Sequence, residues 1–199
     1  MTKNKIILAT INNFSTHGYH GATMSKIAKE VDIKPASLYY FFESKEDLFK
    51  QAIQVILDNH FSSMKTSFFN HKKENITNLF SELFRSIVYH HTSNIVETKA
   101  YVTMVSSPIP NIKKEVSEYL VQYNEWLLKN LTGVIKGQYT NLDEHTIRKI
   151  IDYFIFIGNG LFWGIVIYDQ EGIHKNLTQA IYSMEQYITE TLRSENYAK

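Results

Sequence analysis

The stretch "TMSKIAKEVDIKPASLYYFF", residues 23–42, reads as two short helices joined by a tight turn. Ile27, Ala28 and Val31 give the first helix an apolar face, and Ile33 and Leu38 plug the second onto it. Ala28 is small where two short helices must cross closely. Pro35 suits the first position of the second helix, where its missing N–H costs nothing. This arrangement is a helix-turn-helix, with helices expected over residues 23–31 and 35–42.

The outward chemistry of the second helix points to nucleic acid. Lys34, Ser37, Tyr39 and Tyr40 supply donors and a flat aromatic surface. In a helix-turn-helix the second helix enters the major groove with its N-terminal residues at the base edges. Hydroxyls, lysines and helix N-termini suit phosphates, which position a protein without specifying sequence. Thr23 and Lys45 open the flanking helices and are placed for the backbone. Residues 1–45 hold six lysines against three acids, a net +3 in a chain of net +1, so the basic excess sits with the motif. Tyr39 and Tyr40 also fit a plain packing role.

Outward from the motif, every segment has helical periodicity and none shows sustained strand alternation. Ile7, Ile11 and Phe14 share a face of a first helix ending near Gly18. Ser44 with Asp47 three residues on forms a capping box for a longer helix, whose face carries Leu48, Phe49, Ala52, Ile53 and Ile56. Further stripes run from Ile76 to Val88, Val116 to Leu131 and Leu177 to Leu192, with a break at "SSPIPN" around Pro108 and Pro110. The expected fold is all-α: an N-terminal three-helix helix-turn-helix domain (1–46) and a larger helical bundle (47–199).

With 199 residues, 44% of them hydrophobic, the chain can bury a real core without staples. It has no cysteine, which excludes disulfides, thiolate catalysis and cysteine zinc sites and suits a cytoplasmic location. The N-terminus lacks a signal-peptide pattern. The apolar run 153–168 is shorter than the roughly 18 residues of a membrane span and reads as a buried helix, so no membrane is expected. His90 and His91 are adjacent and make a poor metal pair, and no catalytic motif is present. No cofactor, metal or enzymatic activity is expected.

Residues 18–49, "GYHGATMSKIAKEVDIKPASLYYFFESKEDLF", resemble the DNA-binding region of the TetR family of bacterial regulators. The matches include Phe14, Gly18, Tyr19, Thr23, Ile27, Ala28, Ile33, Leu38, Tyr39, Phe42, Ser44, Lys45, Glu46 and Leu48, and cover about a quarter of the chain. The resemblance implies major-groove contacts at Lys34, Pro35, Ala36, Ser37, Tyr39 and Tyr40, and phosphate contacts at Thr23, Ser25, Tyr40 and Lys45. Three positions depart from the family pattern: Phe41 stands where His is frequent, Ala36 where Gly is common, and Lys34 replaces a small polar N-cap. A cation at Lys34 opposes the helix dipole, which points to use on DNA.

The resemblance also implies an inducer pocket and a homodimer seam in the C-terminal helices. Phe61, Met64, Phe84, Tyr101, Met104, Tyr123, Trp126 and Trp163 are the candidate pocket lining, suited to a lipophilic or flat ligand, with Glu97 or Glu125 favouring a cationic one. Each residue of this lining fits a core role as well. Ile155, Gly158, Gly160, Gly164, Ile181, Met184 and Ile188 are the candidate seam. The expected protein is a dimeric repressor on double-stranded operator DNA, released by a small-molecule inducer. Two rivals are a helix-turn-helix protein without inducer, which would have no fillable cavity, and a helical carrier or enzyme, which would not bind DNA.

Overall fold

Five residues stand one position before a helix and accept the backbone N–H three residues on. Thr23 takes Lys26 N (3.3 Å), Ser44 takes Asp47 N (3.0 Å) and Asn75 takes Asn78 N (2.8 Å). Asp143 takes Thr146 N (2.7 Å) and Asp169 takes Gly172 N (2.9 Å). Each satisfies an orphan donor of a first turn, so short polar side chains set where these helices begin.

In this computed structural model residues 3–105 and 110–197 are described, without the side chains of 195–197. In chain order the described helices are α1 (Lys3–Gly21), α2 (Met24–Glu30), α3 (Pro35–Leu38), α4 (Lys45–His71) and α5 (Ile76–Ser93), followed by α6 (Ile95–Val105), α7 (Pro110–Gln138), α8 (Glu144–Ile167) and α9 (Gln170–Tyr197). No strand occurs among the described residues. The expected break at "SSPIPN" lies largely outside the described residues; α6 and α7 end and begin on either side of it.

The chain divides into two compact units, Met1–His60 with Asn94–Val121, and Phe61–Ser93 with Gln122–Lys199. The first holds α1, α2 and α3 together with α6 and the adjoining parts of α4 and α7. Helix α1 packs on both α2 and α6. Its buried face carries Ile6, Ile11 and Phe14, and the Phe14 ring meets Phe49 of α4 edge-on at 5.0 Å. Gly18 kinks α1 with φ 64° and ψ 179°, a positive φ that only glycine adopts freely, and the expected end near Gly18 is this kink.

In the second unit α5, α8 and α9 pack on one another. The Phe154 ring of α8 sits 5.0 Å from Phe80 and 4.9 Å from Phe84 of α5. Gly164 is buried, and a Cβ there would lie 2.7 Å from Asn176 Nδ2, so α9 passes close to α8 at this point. Gln138 ends α7 by accepting from Ile76 N (3.1 Å) and donating to the Glu74 carbonyl (2.7 Å).

Helix α8 starts nine residues before the apolar run 153–168 and is 24 residues long, so by length and composition it reaches what a membrane crossing requires. One such helix is weak ground for a membrane, because the core helix of a soluble protein passes the same test; the helix expected to be buried is, however, only 33% buried over its most apolar stretch.

Candidate nucleic-acid interface

The turn between α2 and α3 is closed by a Schellman motif. Asp32 N donates to Lys29 O (3.2 Å) and Ile33 N to Ala28 O (2.9 Å), with Asp32 in the left-handed region at φ 55°. Aspartate is among the few non-glycine residues that tolerate this backbone. Glu30, the last residue of α2, accepts from Nδ2 of Asn12 (2.9 Å) and from Nδ2 of the buried Asn13. These bonds pin α2 to α1 and fix the platform from which α3 projects.

Helix α3 is four residues long, shorter than the expected 35–42. After Leu38 the chain tightens: Tyr39, Tyr40 and Phe41 donate to carbonyls three residues back, Ala36, Ser37 and Leu38. Phe42 is thereby turned into the core beside Leu38, and both are fully buried. Burial of Phe42 decides the shape of this turn over simple helical continuation.

The outer surface carries the residues expected at DNA. Thr23, Ser25, Lys34, Pro35 and Ala36 are exposed, and Ser37 is half-buried. Tyr40 is 88% exposed and Tyr39 57%, so neither is a core residue. Lys34 is the N-cap of α3 but makes no side-chain capping bond, and among the described residues no ion pair or hydrogen bond engages its ammonium. Lys45 behaves differently. Its Nζ donates to the Tyr19 carbonyl and lies 4.4 Å from the centroid of the Tyr19 ring, and partial burial pushes its pKa down. It therefore ties α4 to the end of α1, and any phosphate contact must use its remaining donors.

The capping box at Ser44 closes one residue early: Asp47 Oδ2 accepts from Glu43 N at 3.0 Å. Farther along, Asn111 donates to Glu46 (2.6 Å) and Lys50 pairs with Glu115 (2.6 Å), fixing the start of α4 against α7.

The candidate ligand residues are shared between the two units. Phe61, Tyr123 and Trp126 make an aromatic cluster in the second unit, with Phe61 5.6 Å from Tyr123 and 5.4 Å from Trp126. Met64 and Phe84 are buried, Phe84 against Phe154. Tyr101 and the buried Met104 belong to α6 in the first unit. Trp163 is 46% exposed on α8. Glu97 is held by Asn59 Nδ2 (3.1 Å), and Glu125 is exposed, so neither is an unpaired buried anion.

The candidate seam residues also separate. Gly164, Met184 and Ile188 are buried in the chain's own core, which removes them from any outer face. Gly158 faces Ile87 of α5, a Cβ there lying 3.4 Å from its Cδ1. Ile155 and Ile181 are half-buried, and Gly160 is open to solvent. The free stripe of α8 is instead Phe156, Gly160, Trp163, Val166 and Ile167, with Tyr182 exposed on α9. It was legible from the helical phase opposite Ile150, Phe154, Leu161 and Ile165.

Two short helices joined by a tight turn, with exposed donors on the second, place the first unit in the helix-turn-helix class. The profile described as bacterial regulatory proteins, tetR family, matches residues 6–52. The chain is 30% identical over 154 residues to the biofilm operon icaADBC HTH-type negative transcriptional regulator IcaR of Staphylococcus epidermidis, covering 77% of this chain and 80% of that one. The IcaR of Staphylococcus aureus is 48% identical over 56 residues, 28% of this chain and 30% of that relative. The transcriptional regulator FadR from Bacillus subtilis, solved in complex with stearoyl-CoA, shares the fold with a TM-score of 0.70 at 18% identity, over 92% of this chain and 97% of that one. The chain belongs to the TetR family and is a DNA-binding transcriptional regulator.

Proposed function

We propose that the protein is a homodimeric, cytoplasmic repressor that holds two copies of the Lys34–Tyr40 surface in successive major grooves and leaves its operator when a lipophilic or aromatic small molecule binds. The observation that carries this reading is the exposed tyrosine pair on a turn whose inner side, Leu38 and Phe42, is locked in the core. Thr23, the cap of α2, and Ser25 in its first turn flank it with hydroxyls suited to phosphate. The negative regulator IcaR among its relatives supports repression over activation.

Two copies are needed because one short reading element spans too few base pairs for useful specificity. The apolar stripe Phe156, Trp163, Val166 and Ile167 supports a symmetric α8–α9 seam, as a face that water leaves costly to expose. The aromatic cluster of Phe61, Tyr123 and Trp126 supports an apolar ligand, and the stearoyl-CoA bound by the fold neighbour FadR is consistent with a lipophilic one. Helix α4 begins just after the Ser44 cap and carries Phe61 and Met64 farther along. Ligand binding acts by shifting the population toward a half-site spacing that the DNA does not match.

Footprinting on the DNA upstream of the protein's own gene tests the proposal. Two protected half-sites about one helical turn apart are expected, with protection lost on adding stearoyl-CoA or another lipophilic compound from a panel. Protection of a single half-site by a monomer contradicts the dimer, and protection that no compound releases contradicts the inducer.

A further inference from the structure

The reading surface has a small donor inventory, and it restricts the bases that it can recognise. In the major groove Arg or Lys pairs with guanine, Asn or Gln with adenine, and Asp or Glu with the cytosine amino group, while apolar groups contact the thymine methyl. From Lys34 to Tyr40 there is no Arg, Asn, Gln, Asp or Glu. The surface instead exposes one cation, Lys34, followed directly by two apolar residues, Pro35 and Ala36. Ser37 is half-buried, and its hydroxyl serves any base equally. The hydroxyls of Tyr39 and Tyr40 come from the turn beyond α3 and suit the phosphate backbone.

The cation is available for a base. The Lys34 side chain makes no capping bond to its own helix, and among the described residues it has no ion-pair partner. Glu30, the last residue of α2, is held by Asn12 and Asn13. Ala36 and Pro35 are exposed at the start of α3, the end of a recognition helix that meets base edges.

We propose that each half-site is read as one guanine held by Lys34 beside thymines whose 5-methyl groups rest on Pro35 and Ala36. Each half-site then places one G·C pair, carrying the polar recognition, directly beside A·T pairs. This inference rests on the DNA-binding reading above and adds the base classes that the surface selects.

The test starts with selection of bound duplexes from a random pool by the full-length protein, so that the operator sequence emerges from the selection itself. The enriched half-site is expected to hold one invariant guanine next to thymines. Deoxyuridine is then placed for each thymine in turn, which removes only the 5-methyl group. Loss of one methyl contact is expected to weaken binding about fourfold, the equivalent of roughly 0.8 kcal/mol for a buried methylene-sized group. In Ala36→Gly the penalty at one of these thymines disappears, and in Lys34→Ala the guanine preference is lost while thymine sensitivity remains. Because each comparison is made within one protein variant, a change in fold stability does not mimic the coupling. Selected sites that lack the guanine, or deoxyuridine duplexes bound as tightly as thymine ones, overturn the base assignment while leaving DNA binding intact. Failure to enrich any duplex overturns the DNA-binding reading as well.

Discussion

Asp32 holds a left-handed backbone at the centre of the reading module, closing the turn with two hydrogen bonds at φ 55°. The cost of that conformation falls on any residue with a Cβ. Asp32→Gly is therefore expected to stabilise the protein by up to about 1 kcal/mol, raising the melting temperature by about 2–4 °C in a scanning experiment. His90 works in the opposite sense. It is buried, and burial pushes its imidazole below the ordinary 6.5. The unfolded chain then takes up a proton that the folded chain refuses, so stability is full above pH 6.5 and declines as the pH falls through the folded-state value. Melting curves from pH 7.5 to 5.5 are expected to show this decline, with a smaller drop in His90→Gln. At the level of single side chains the sequence was only partly legible: Lys34, Pro35, Ala36, Tyr39 and Tyr40 all face outward, although both tyrosines also fitted a packing role. The role of Lys45 was hidden, because its partner is a backbone carbonyl 26 residues away and no sequence pattern marks that pairing.

Helix starts were written locally and helix lengths were not. Ser44 and Asp47 form their cap from residues within one turn, so spacing alone reveals it. Ser44→Ala is expected to cost about 1 kcal/mol, read as a lowered denaturant midpoint, since it leaves an orphan N–H at the start of α4. Gly18→Ala is expected to cost about 1–2 kcal/mol, because the kink that ends the straight part of α1 needs its positive φ. In α3, by contrast, apolar periodicity runs on to Phe42 while the helix stops at Leu38. The stop comes from packing Phe42 into a core built by distant segments. The same limit applies to α8, where the glycines Gly158 and Gly164 suggest a seam and are in fact used against α5 and α9 of the same chain.

Across the full chain, the outward stripe of α8 is the feature that a single copy leaves unexplained. Phe156 is 73% exposed and Ile167 68%, on one side of a helix whose other side is core. Phe156→Glu with Trp163→Glu is expected to give a folded monomer by analytical ultracentrifugation, with weakened DNA binding because each copy then grips one half-site. A dimer that persists in this variant places the seam elsewhere. The all-α character and the helix-turn-helix were open to reading because each rests on local periodicity. The division into units depends instead on α6 packing against α1 across some 80 residues of chain, and leaves no such trace.

That the surface from Lys34 to Tyr40 docks on DNA is tested by fluorescence anisotropy of the selected duplex at several salt concentrations, for the native protein and Tyr40→Ala. Tyr40 is exposed enough that its loss leaves the melting temperature unchanged. Native binding is expected to be tight and to weaken steeply with salt, and Tyr40→Ala to bind at least about tenfold more weakly, the order expected for one charge-assisted contact of about 1.4 kcal/mol. Equal affinity of the two proteins for the duplex would contradict contact between this surface and DNA.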